Sequence, residues 1–388
     1  MELIVYAPIW GQSGYEQLSR GLLIALDKMG VGIELRIARD WNQERVQLPR
    51  ETISRLIRMT TQRVSPLAPH LIYQLPKGQL ITEKAPAICY SLFETDRFPQ
   101  PWLHAMMSMD KILTFSEFNR TSWATSGIPD SKLGKLPVAV DSFTYTPDGP
   151  RMAIQNARGY IFLCSGDYTE RKNFEAVIEA YVKEFSAEEE VTLIFKCHYG
   201  GFTKNFRRNC AAKLRKSVIG FNRKPPRILF WGDKISDHAM ASLYRSVDCF
   251  VLTSRGEGLG MQYLEAMASG TPVIHCNWSA HTDYLDARNS YPVGYTLKVM
   301  DDPEYLIKCP QALNSKWAQV DVDDLRRAMR HVVGNREQTK RKTAFALNLA
   351  REQTWQKMAV ALIGEIVNMF NPKLAIKESA AEEVSIGS

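Results

Sequence analysis

The sequence is constrained most by a repeated alternation of short apolar runs with longer segments of helical period. Leu3–Pro8 predicts a strand, and the apolar residues within Tyr15–Met29 recur at the spacing of one helix face. Alternation of strands with helices is typical of βαβ units and of a parallel sheet. The first half of the chain therefore predicts an α/β fold. Its further predicted strands are Gly32–Ala38, Leu71–Leu75, Ala87–Leu92 and Lys111–Phe115.

A second alternating series follows a break in this pattern. Asp141–Arg151 contains Pro147, Gly149 and Pro150 and shows no periodicity, so we interpret it as a linker. The chain therefore predicts two successive α/β halves. In the second half the predicted strands are Tyr160–Ser165, Val191–Lys196, Arg227–Trp231, Cys249–Leu252 and Pro272–His275. The predicted helices are Phe174–Glu184, Asp237–Arg245 and Met261–Ala268.

The length of the chain agrees with two domains. A domain typically has about 100–200 residues, and this chain has 388. We place the first domain at residues 1–150 and the second at residues 151–354. From about Val322 the pattern is helical, and Trp355–Phe370 predicts a last helix. We expect the polar, weakly patterned tail at 371–388 to be mobile.

Composition and cysteine usage exclude several classes of protein. Hydrophobic residues make up 45% and charged residues 23%, which is ordinary for a globular chain and excludes a disordered chain or a coiled-coil rod. No run approaches the roughly 18 apolar residues of a membrane helix. The start, MELIVYAPIW, lacks the basic region and cleavage site of a signal peptide. The seven cysteines are scattered without a CxxC pair, which favours reduced thiols. We therefore predict a cytoplasmic protein, with peripheral attachment to the inner membrane face left open.

The net charge of +7 is distributed unevenly along the chain. The segment from Thr203 to Arg227 (203–227) holds nine Lys or Arg residues and no acid. One interpretation is a contact with an anionic membrane, an acidic glycan or nucleic acid; the other is a solvated helix face and loop. Apart from Phe206 and Phe221, the segment lacks the aromatic side chains of a nucleic-acid groove. We therefore expect no nucleic-acid partner.

The strongest local motif lies between Cys249 and Cys276, where an apolar strand is followed by a glycine-rich loop and then directly by a helix. Glycines allow a ligand to approach the backbone closely, and a helix start suits a phosphate or sugar hydroxyls. Glu257 lies in the loop, at the carboxyl end of a parallel strand, where ligands bind in open α/β sheets. Glu265 follows eight positions later, where a carboxylate suits a ribose diol. Taken separately, each acid is also compatible with a solvent-exposed position. The loop glycines are Gly256, Gly258 and Gly260.

In this motif Glu257 and Glu265 enclose seven residues, in the frame E-G-L-G-x-x-x-x-E-A-M-A-S-G-T-P-V-I. The frame resembles the nucleotide-sugar glycosyltransferases of family 4, a retaining group with the GT-B fold. The resemblance covers nearly everything from Met1 to about residue 370. It implies two facing Rossmann-like domains with parallel sheets, and a closing helix at about 355–370 that crosses back to the first domain.

The resemblance also implies roles for residues of the second half. Lys172 matches a family lysine that holds the donor diphosphate, but Asp167 stands where the family usually has an arginine. Arg171 is the obvious substitute for that arginine. Glu257 would hold the sugar and stabilise positive charge in the transition state, so we assign the catalytic roles to Glu257 and Lys172, and Glu265 would hold the ribose. The donor-binding residues are predicted to be Gly14, Arg171, Lys172, Glu257, Gly258, Leu259, Gly260 and Glu265.

The first half carries weaker signals. Gly11–Tyr15 resembles the family's glycine loop that faces the donor, whereas the G-x-G-x-x-G of a dehydrogenase is missing. Many family members have a histidine near the end of the strand that corresponds to Ala87–Leu92, and this chain has none there. Glu94 and Asp96 are the available polar groups on the acceptor side.

One loop of the second half also resembles the family. Asn277–Leu285 falls where the family has a loop over the donor, and Asp283 matches its acidic residue. His281 has no second histidine spaced near it, which argues against a metal site. We expect no metal and no cofactor, with a nucleoside diphosphate sugar as the substrate.

The resemblance implies a retaining, hexosyltransferase-type enzyme that moves a sugar from a nucleoside diphosphate sugar to an acceptor hydroxyl. The acceptor is a glycan, a lipid-linked molecule or a protein. The main alternative is a non-catalytic sugar-nucleotide or glycan-binding protein of the same fold. A glycan phosphorylase of related fold would need a phosphate site, for which the sequence offers no marker.

Overall fold

In a computed structural model, the described part of the chain comprises residues 1–38, 46–73, 85–198, 212, 216, 224–308 and 310–370. Over these residues the chain forms two six-stranded parallel sheets and one two-stranded antiparallel sheet. Most of the basic segment 203–227 lies outside the described residues, as does the tail at 371–388. The predictions made for those two segments therefore stay predictions.

The first sheet has the strand order β2-β1-β3-β4-β5-β6, and all of its pairs are parallel. Leu3, Ile4 and Val5 of β1 are all buried, as expected for a strand covered by helices on both faces. The strands are β1 (Glu2–Ala7), β2 (Gly32–Ile37), β3 (His70–Ile72), β4 (Ala87–Tyr90), β5 (Lys111–Thr114) and β6 (Leu133–Lys135).

The helices of the first half include α1, which begins directly after the glycine loop. The backbone N–H of Ser13 donates to the Glu16 carboxylate at 2.8 Å, which satisfies a donor at the helix start. A Cβ at Gly11 would lie 2.0 Å from that same carboxylate, so a side chain there would displace Glu16 from the helix start. The helices are α1 (Gly14–Lys28), α2 (Arg50–Thr61), α3 (Gln100–Met107) and α4 (Glu117–Thr125).

The second sheet has the order β12-β11-β10-β7-β8-β9, also with parallel pairs. The chain therefore reverses its direction of strand addition beside β7, which creates a crevice at the carboxyl ends of the strands. The strands are β7 (Tyr160–Asp167), β8 (Val191–His198), β9 (Arg227–Trp231), β10 (Cys249–Leu252), β11 (Val273–Cys276) and β12 (Tyr291–Val293).

An antiparallel pair follows, formed by β13 (Tyr295–Val299) and β14 (Lys316–Val320), and the sequence patterns did not predict it. The whole of β13 is exposed, although its apolar residues Tyr295, Leu297 and Val299 alternate with polar ones. The remaining helices are α5 (Phe174–Glu184), α6 (Asp237–Ser246), α7 (Met261–Ala268), α8 (Pro303–Lys308), α9 (Val322–Gly334), α10 (Arg336–Glu352) and α11 (Trp355–Phe370).

The last helix, α11, crosses back and packs on α1, as the sequence predicted. A Cβ at Gly21 of α1 would lie only 2.3 Å from the Trp355 ring, so glycine allows this close contact. Lys111 of β5 also pairs with Glu365 of α11 at 3.3 Å. Along the chain, the strands of the first large sheet precede Asp141–Arg151 and those of the second follow it. The domain boundaries at residues 150 and 354 remain our proposal.

Two further expectations bear on the class of protein. Among the helices that the structure describes, none combines the length and the apolar character that crossing a membrane requires. Five cysteines of the described part are buried and unpaired, in agreement with reduced thiols: Cys89, Cys164, Cys197, Cys249 and Cys276.

Candidate active site

A cavity of about 440 Å³ lies between the two halves, at the carboxyl ends of both sheets. The first half contributes the loop at the start of α1, together with Tyr73 and Glu94. The second half contributes the ends of β7 and β8 and the loop between β10 and α7. This is the position at which open α/β sheets bind their ligands.

Glu257 lines this cavity and takes part in a network of hydrogen bonds and ion pairs. Its Oε1 accepts from Lys172 Nζ at 2.5 Å and from Ser254 Oγ at 2.6 Å, and its Oε2 accepts from Arg171 at 3.1 Å. Burial alone would raise the pKa of the Glu257 carboxyl, but the charges of Lys172 and Arg171 outweigh burial and lower the pKa to about 2. Glu257 is therefore a fixed negative charge and not a carboxylate in open solvent.

The loop around Glu257 touches the first half of the chain. A Cβ at Gly256 would lie 2.0 Å from the carbonyl oxygen of Glu94, and a Cβ at Gly258 would lie 2.3 Å from the Leu92 side chain. We expected these glycines to admit a ligand, but the structure places the first half against both of them. Gly260 differs, because its φ of +78° falls in the left-handed region that favours glycine.

Two cations reach Glu257 from the turn after β7. Arg171 also donates to the carbonyl oxygen of Gly256 at 2.7 Å and lies 3.8 Å from the Glu94 carboxylate, so it connects both halves. The side chain of Lys172 is buried, and desolvation lowers its pKa despite the opposing charge of Glu257. Asp167 lines the cavity on the same side.

Glu265, on α7, lines the same cavity and is also buried. The hydroxyl of Tyr244 donates to its Oε2 at 3.2 Å. Burial raises the pKa of the Glu265 carboxyl to about 8, and the nearby charge of Asp237 adds to the rise. Its burial excludes the interpretation as a helix-surface acid.

The structure separates the two acids that we predicted on the acceptor side. Glu94 lines the cavity and accepts a hydrogen bond from the Tyr305 hydroxyl at 3.3 Å. Asp96 is absent from the described lining; its carboxylate accepts from the backbone N–H of Lys316 at 2.6 Å. Asp96 therefore ties its loop to β14. The remaining predicted donor residues, Gly14, Gly258, Leu259 and Gly260, all line the cavity.

The loop after β11 contacts the Glu257 network through Ser279 and the first half through Asp283. Ser279 Oγ accepts from the backbone N–H of Glu257 at 2.9 Å, while Asp283 reaches the first half, where it accepts from the N–H of Glu117 at 2.8 Å and pairs with Lys135 at 3.1 Å. The ring of His281 is buried and contacts the carbonyl oxygen of Cys276. Over the described residues, no group of three or more His, Cys, Asp or Glu side chains is placed to hold a metal ion.

Several lining residues carried no motif in the sequence. Lys196 is buried and pairs with Ser165 in the register of β7 and β8, so both face the same side of the sheet. The sequence feature that could have identified Lys196 is its position at the end of a predicted apolar strand. Tyr73 directly follows β3, and Tyr145 lies within the predicted linker Asp141–Arg151. Neither tyrosine stands out from the sequence alone.

Comparison with known proteins agrees with this geometry. Residues 159–313 match the family model described as "Glycosyl transferases group 1". Mannosylfructose-phosphate synthase from Agrobacterium fabrum is 26% identical over 153 residues, which are 38% of this chain and 33% of that protein. The match therefore spans about a third of that relative.

Solved structures resemble almost the whole chain. Anabaena HepE in complex with UDP and glucose has a TM-score of 0.64 at 12% identity, covering 95% of this chain and 100% of that chain. Sucrose-phosphate synthase from Thermosynechococcus elongatus has a TM-score of 0.65 at 14% identity, covering 95% of this chain and 99% of that chain. The predicted GT-B fold and the predicted resemblance to this family of glycosyltransferases are thus confirmed.

Proposed function

We propose that this protein is a glycosyltransferase that moves a sugar from a nucleoside diphosphate sugar to an acceptor hydroxyl. The observation that carries the proposal is the cluster of Glu257, Lys172 and Arg171 in the cavity between two Rossmann-like sheets. Fixed charges in a cavity shielded from water act strongly on a reaction that separates charge. The match to the family model over residues 159–313 supports the same class.

The donor would bind along the second half. Its diphosphate would compete with Glu257 for Lys172 and Arg171, which would then stabilise the departing nucleoside diphosphate. The ribose would meet Glu265. Glu257, once it shares its cations with the phosphates, would accept from sugar hydroxyls and stabilise the positive charge at the anomeric carbon.

We propose retention of the anomeric configuration. The acceptor hydroxyl would attack the anomeric carbon from the side of the leaving group, and the departing phosphate would take the proton. No side-chain base is then required. Determination of the anomeric configuration of the product by NMR tests this step, and an inverted product would contradict it.

The donor test starts from the structural neighbours, because HepE has been solved with UDP and with UDP-glucose. Thermal unfolding should be measured with UDP, GDP and ADP and with their glucose esters. A ligand at 100 times its dissociation constant adds about 2.7 kcal/mol to the free energy of unfolding. Lys172→Ala is the matched variant, in which this increase should shrink. No shift with any of these ligands would contradict the proposal.

A non-catalytic sugar-nucleotide or glycan-binding protein is the second candidate. It is favoured by the observation that Glu257 already pairs with both nearby cations, which would also suit a purely structural cluster. Binding of a nucleotide sugar without transfer to any glycan, lipid-linked or protein acceptor, and without hydrolysis, would support it.

We also propose a cytoplasmic location with peripheral contact to an anionic membrane through the basic segment 203–227. Charge reversal at Arg207, Arg208 and Lys213 should weaken binding to liposomes that contain phosphatidylglycerol at low salt. Wild-type protein that ignores such liposomes would contradict the membrane contact.

A further inference from the structure

Arg255 is a buried arginine two positions before Glu257, and the proposed reaction gives it no role. It follows Ser254 in the loop after β10 and is only 8% exposed. Arg255 is absent from the described lining of the cavity, so a ligand there would not touch its guanidinium. Burial of a cation is unfavourable unless hydrogen bonds and opposite charges replace the lost water. The partners of Arg255 therefore indicate what the residue does.

The guanidinium of Arg255 binds the start of the turn that carries Arg171 and Lys172. Its Nη2 donates to Glu170 Oε1 at 2.8 Å, and its Nε donates to the carbonyl oxygen of Glu170 at 3.2 Å. A backbone bond adds to these contacts, because the N–H of Arg255 donates to the carbonyl oxygen of Arg171 at 2.7 Å. Three hydrogen bonds therefore join Arg255 to the two residues that precede Lys172.

Arg255 also contacts β14, the second strand of the antiparallel pair. Its Nη1 donates to Gln319 Oε1, and its guanidinium carbon lies 5.2 Å from the centre of the Trp317 ring, where a cation is attracted to the aromatic face. Its carbonyl oxygen accepts from the N–H of Ala318 at 2.8 Å. The planar fork of arginine reaches Glu170 and β14 together, whereas the ammonium of a lysine is a single point of contact. Arg255 thus connects β14 to the turn after β7.

We propose that Arg255 is a positioning residue for donor binding, which holds Arg171 and Lys172 where they can bind the donor diphosphate. This inference rests on the proposed function. Both cations extend from a turn of three residues, Glu170–Lys172, and Arg255 bonds to two of the three. Charged groups act most strongly on a ligand when they are already in place before it binds. Loss of the Arg255 side chain should therefore weaken the contacts of the turn with phosphates.

Arg255→Ala tests the inference, because it removes both side-chain bonds to Glu170 and keeps the backbone bond. Arg330→Ala is the matched control, at the far end of α5 from the turn. Arg330 likewise donates to the carboxylate and the carbonyl oxygen of one residue, Glu184, at 2.7 and 2.8 Å, and its guanidinium carbon lies 4.4 Å from the centre of the Phe185 ring. It is not part of the described cavity lining. Both variants should unfold at a lower temperature than wild type.

The deciding measurement is the ratio of the affinity for a nucleoside diphosphate to that for its nucleoside. UDP and uridine are the pair used, or the GDP or ADP pair if wild type prefers that base, and ligand-observed NMR measures the weakly bound nucleoside. Arg255→Ala should lower the ratio about tenfold, the size of one hydrogen bond to a charged group. Arg330→Ala should leave it unchanged. A general loss of structure would lower both affinities alike and would not change the ratio.

Two further backgrounds show whether Arg255 acts through the cations. If it does, the effect of Arg255→Ala on the ratio should shrink in Lys172→Ala or in Arg171→Ala, because residues that act together give non-additive changes. An undiminished effect in both backgrounds would overturn the inference. Arg255→Lys keeps the charge without the fork, so its ratio should lie between those of wild type and Arg255→Ala. If Arg255→Ala does not fold, Arg255→Lys decides, and a wild-type ratio in that variant overturns the inference.

The outcomes separate this inference from the proposed function. If wild type binds a nucleoside diphosphate but Arg255→Ala lowers the ratio no more than Arg330→Ala does, the positioning role is wrong and the function stands. If wild type binds none of UDP, GDP and ADP, the proposed function fails and the inference fails with it.

Discussion

The loop that carries Glu257 and the helix that carries Glu265 make a natural comparison, because one short motif supplies both acids to the same cavity. Both side chains are buried. Glu257 receives hydrogen bonds from two cations and a serine, and its pKa falls to about 2. Glu265 accepts from the neutral hydroxyl of Tyr244, and its pKa rises to about 8.

The difference shows that two equally buried carboxyls can have pKa values shifted in opposite directions. Desolvation disfavours the charge of each, and only Glu257 has cations close enough to reverse that effect. Enzymes commonly separate the pKa values of paired acids in this way so that the acids take different roles. At neutral pH Glu257 is ionised, whereas a large fraction of Glu265 is protonated. A ligand that donates hydrogen bonds to Glu265 would favour its ionised form.

Among the variants that test the contrast between Glu257 and Glu265, Glu257→Gln should have the largest effect. The change removes the charge that pairs with Lys172 and Arg171, so Lys172 loses its ion-pair partner and Arg171 keeps only Glu94, at 3.8 Å. Breaking a buried ion pair from one side typically costs about 3–5 kcal/mol in the free energy of unfolding. Turnover should also fall by about 10²–10³, as for the loss of one preorganised group. Urea unfolding and steady-state kinetics measure the two effects.

Ser254→Ala is the control for Glu257→Gln, because it removes a neutral hydrogen bond of 2.6 Å to the same carboxylate. It should cost only about 1 kcal/mol. Equal stability of wild type and Glu257→Gln would contradict the ion-pair interpretation of the loop.

Much of this loop was predictable from the sequence, and its partners were not. The apolar run, the glycines and the helix that begins at Met261 defined the strand–loop–helix unit locally. Arg171 and Lys172 lie about 85 positions away along the chain, so their pairing with Glu257 depends on how β7 and β10 align in the sheet. Family resemblance supplied Lys172; periodicity alone did not.

Contacts between distant parts of the chain also explain why the surroundings of the glycine loop could not be predicted. Gly256 and Gly258 marked a close approach, but the approaching group proved to be the backbone and side chains around Glu94 and Leu92. Contacts between halves leave no periodic pattern in either segment. The exposed strand β13 was missed even though its apolar residues Tyr295, Leu297 and Val299 alternate with polar ones.

Glu265 should give a pH dependence of opposite sign to that of Glu257. Its folded pKa of about 8 lies above the ordinary value of 4.5. The folded state therefore binds the proton more tightly, and this contribution to stability is lost as the pH rises from about 4.5 to 8. Glu265→Gln mimics the protonated form. Its free energy of unfolding, relative to wild type, should increase between pH 5 and pH 9.

Urea titrations at pH 5, 7 and 9 measure this difference. The stabilising contribution of Glu257, whose pKa is lowered to about 2, is present above about pH 4.5 and is lost only as the pH falls towards 2. It is therefore constant across the same window. A Glu265→Gln variant whose stability follows wild type at all three pH values would show that Glu265 is ionised in the folded state.

Nucleotide binding should reveal the role of the same carboxyl. If ribose hydroxyls donate to Glu265, the ionised form binds better, and wild-type affinity for UDP should rise from pH 6 to pH 9. Glu265→Gln should lose this rise and bind about tenfold more weakly at pH 9, since a hydrogen bond to a charged group contributes at least about 1.5 kcal/mol. The variant should mainly raise the donor KM, because the contact exists in ground and transition states alike. Unchanged UDP affinity in Glu265→Gln would exclude the ribose role.

The smallest effect concerns the support of the Glu257 loop by Ser279. This residue has φ +83° and ψ −167°, a region that side chains other than glycine rarely adopt, and its hydroxyl accepts from the Glu257 N–H at 2.9 Å. Ser279→Gly removes both the strain and the hydroxyl, whereas Ser279→Ala keeps the strain and removes only the hydroxyl. The glycine variant should therefore be more stable than the alanine variant by about 1 kcal/mol. Because both leave the Glu257 N–H without its acceptor, both should lower kcat by the same few-fold factor with little change in UDP affinity. A glycine variant with wild-type kcat would show that the hydroxyl does not position Glu257.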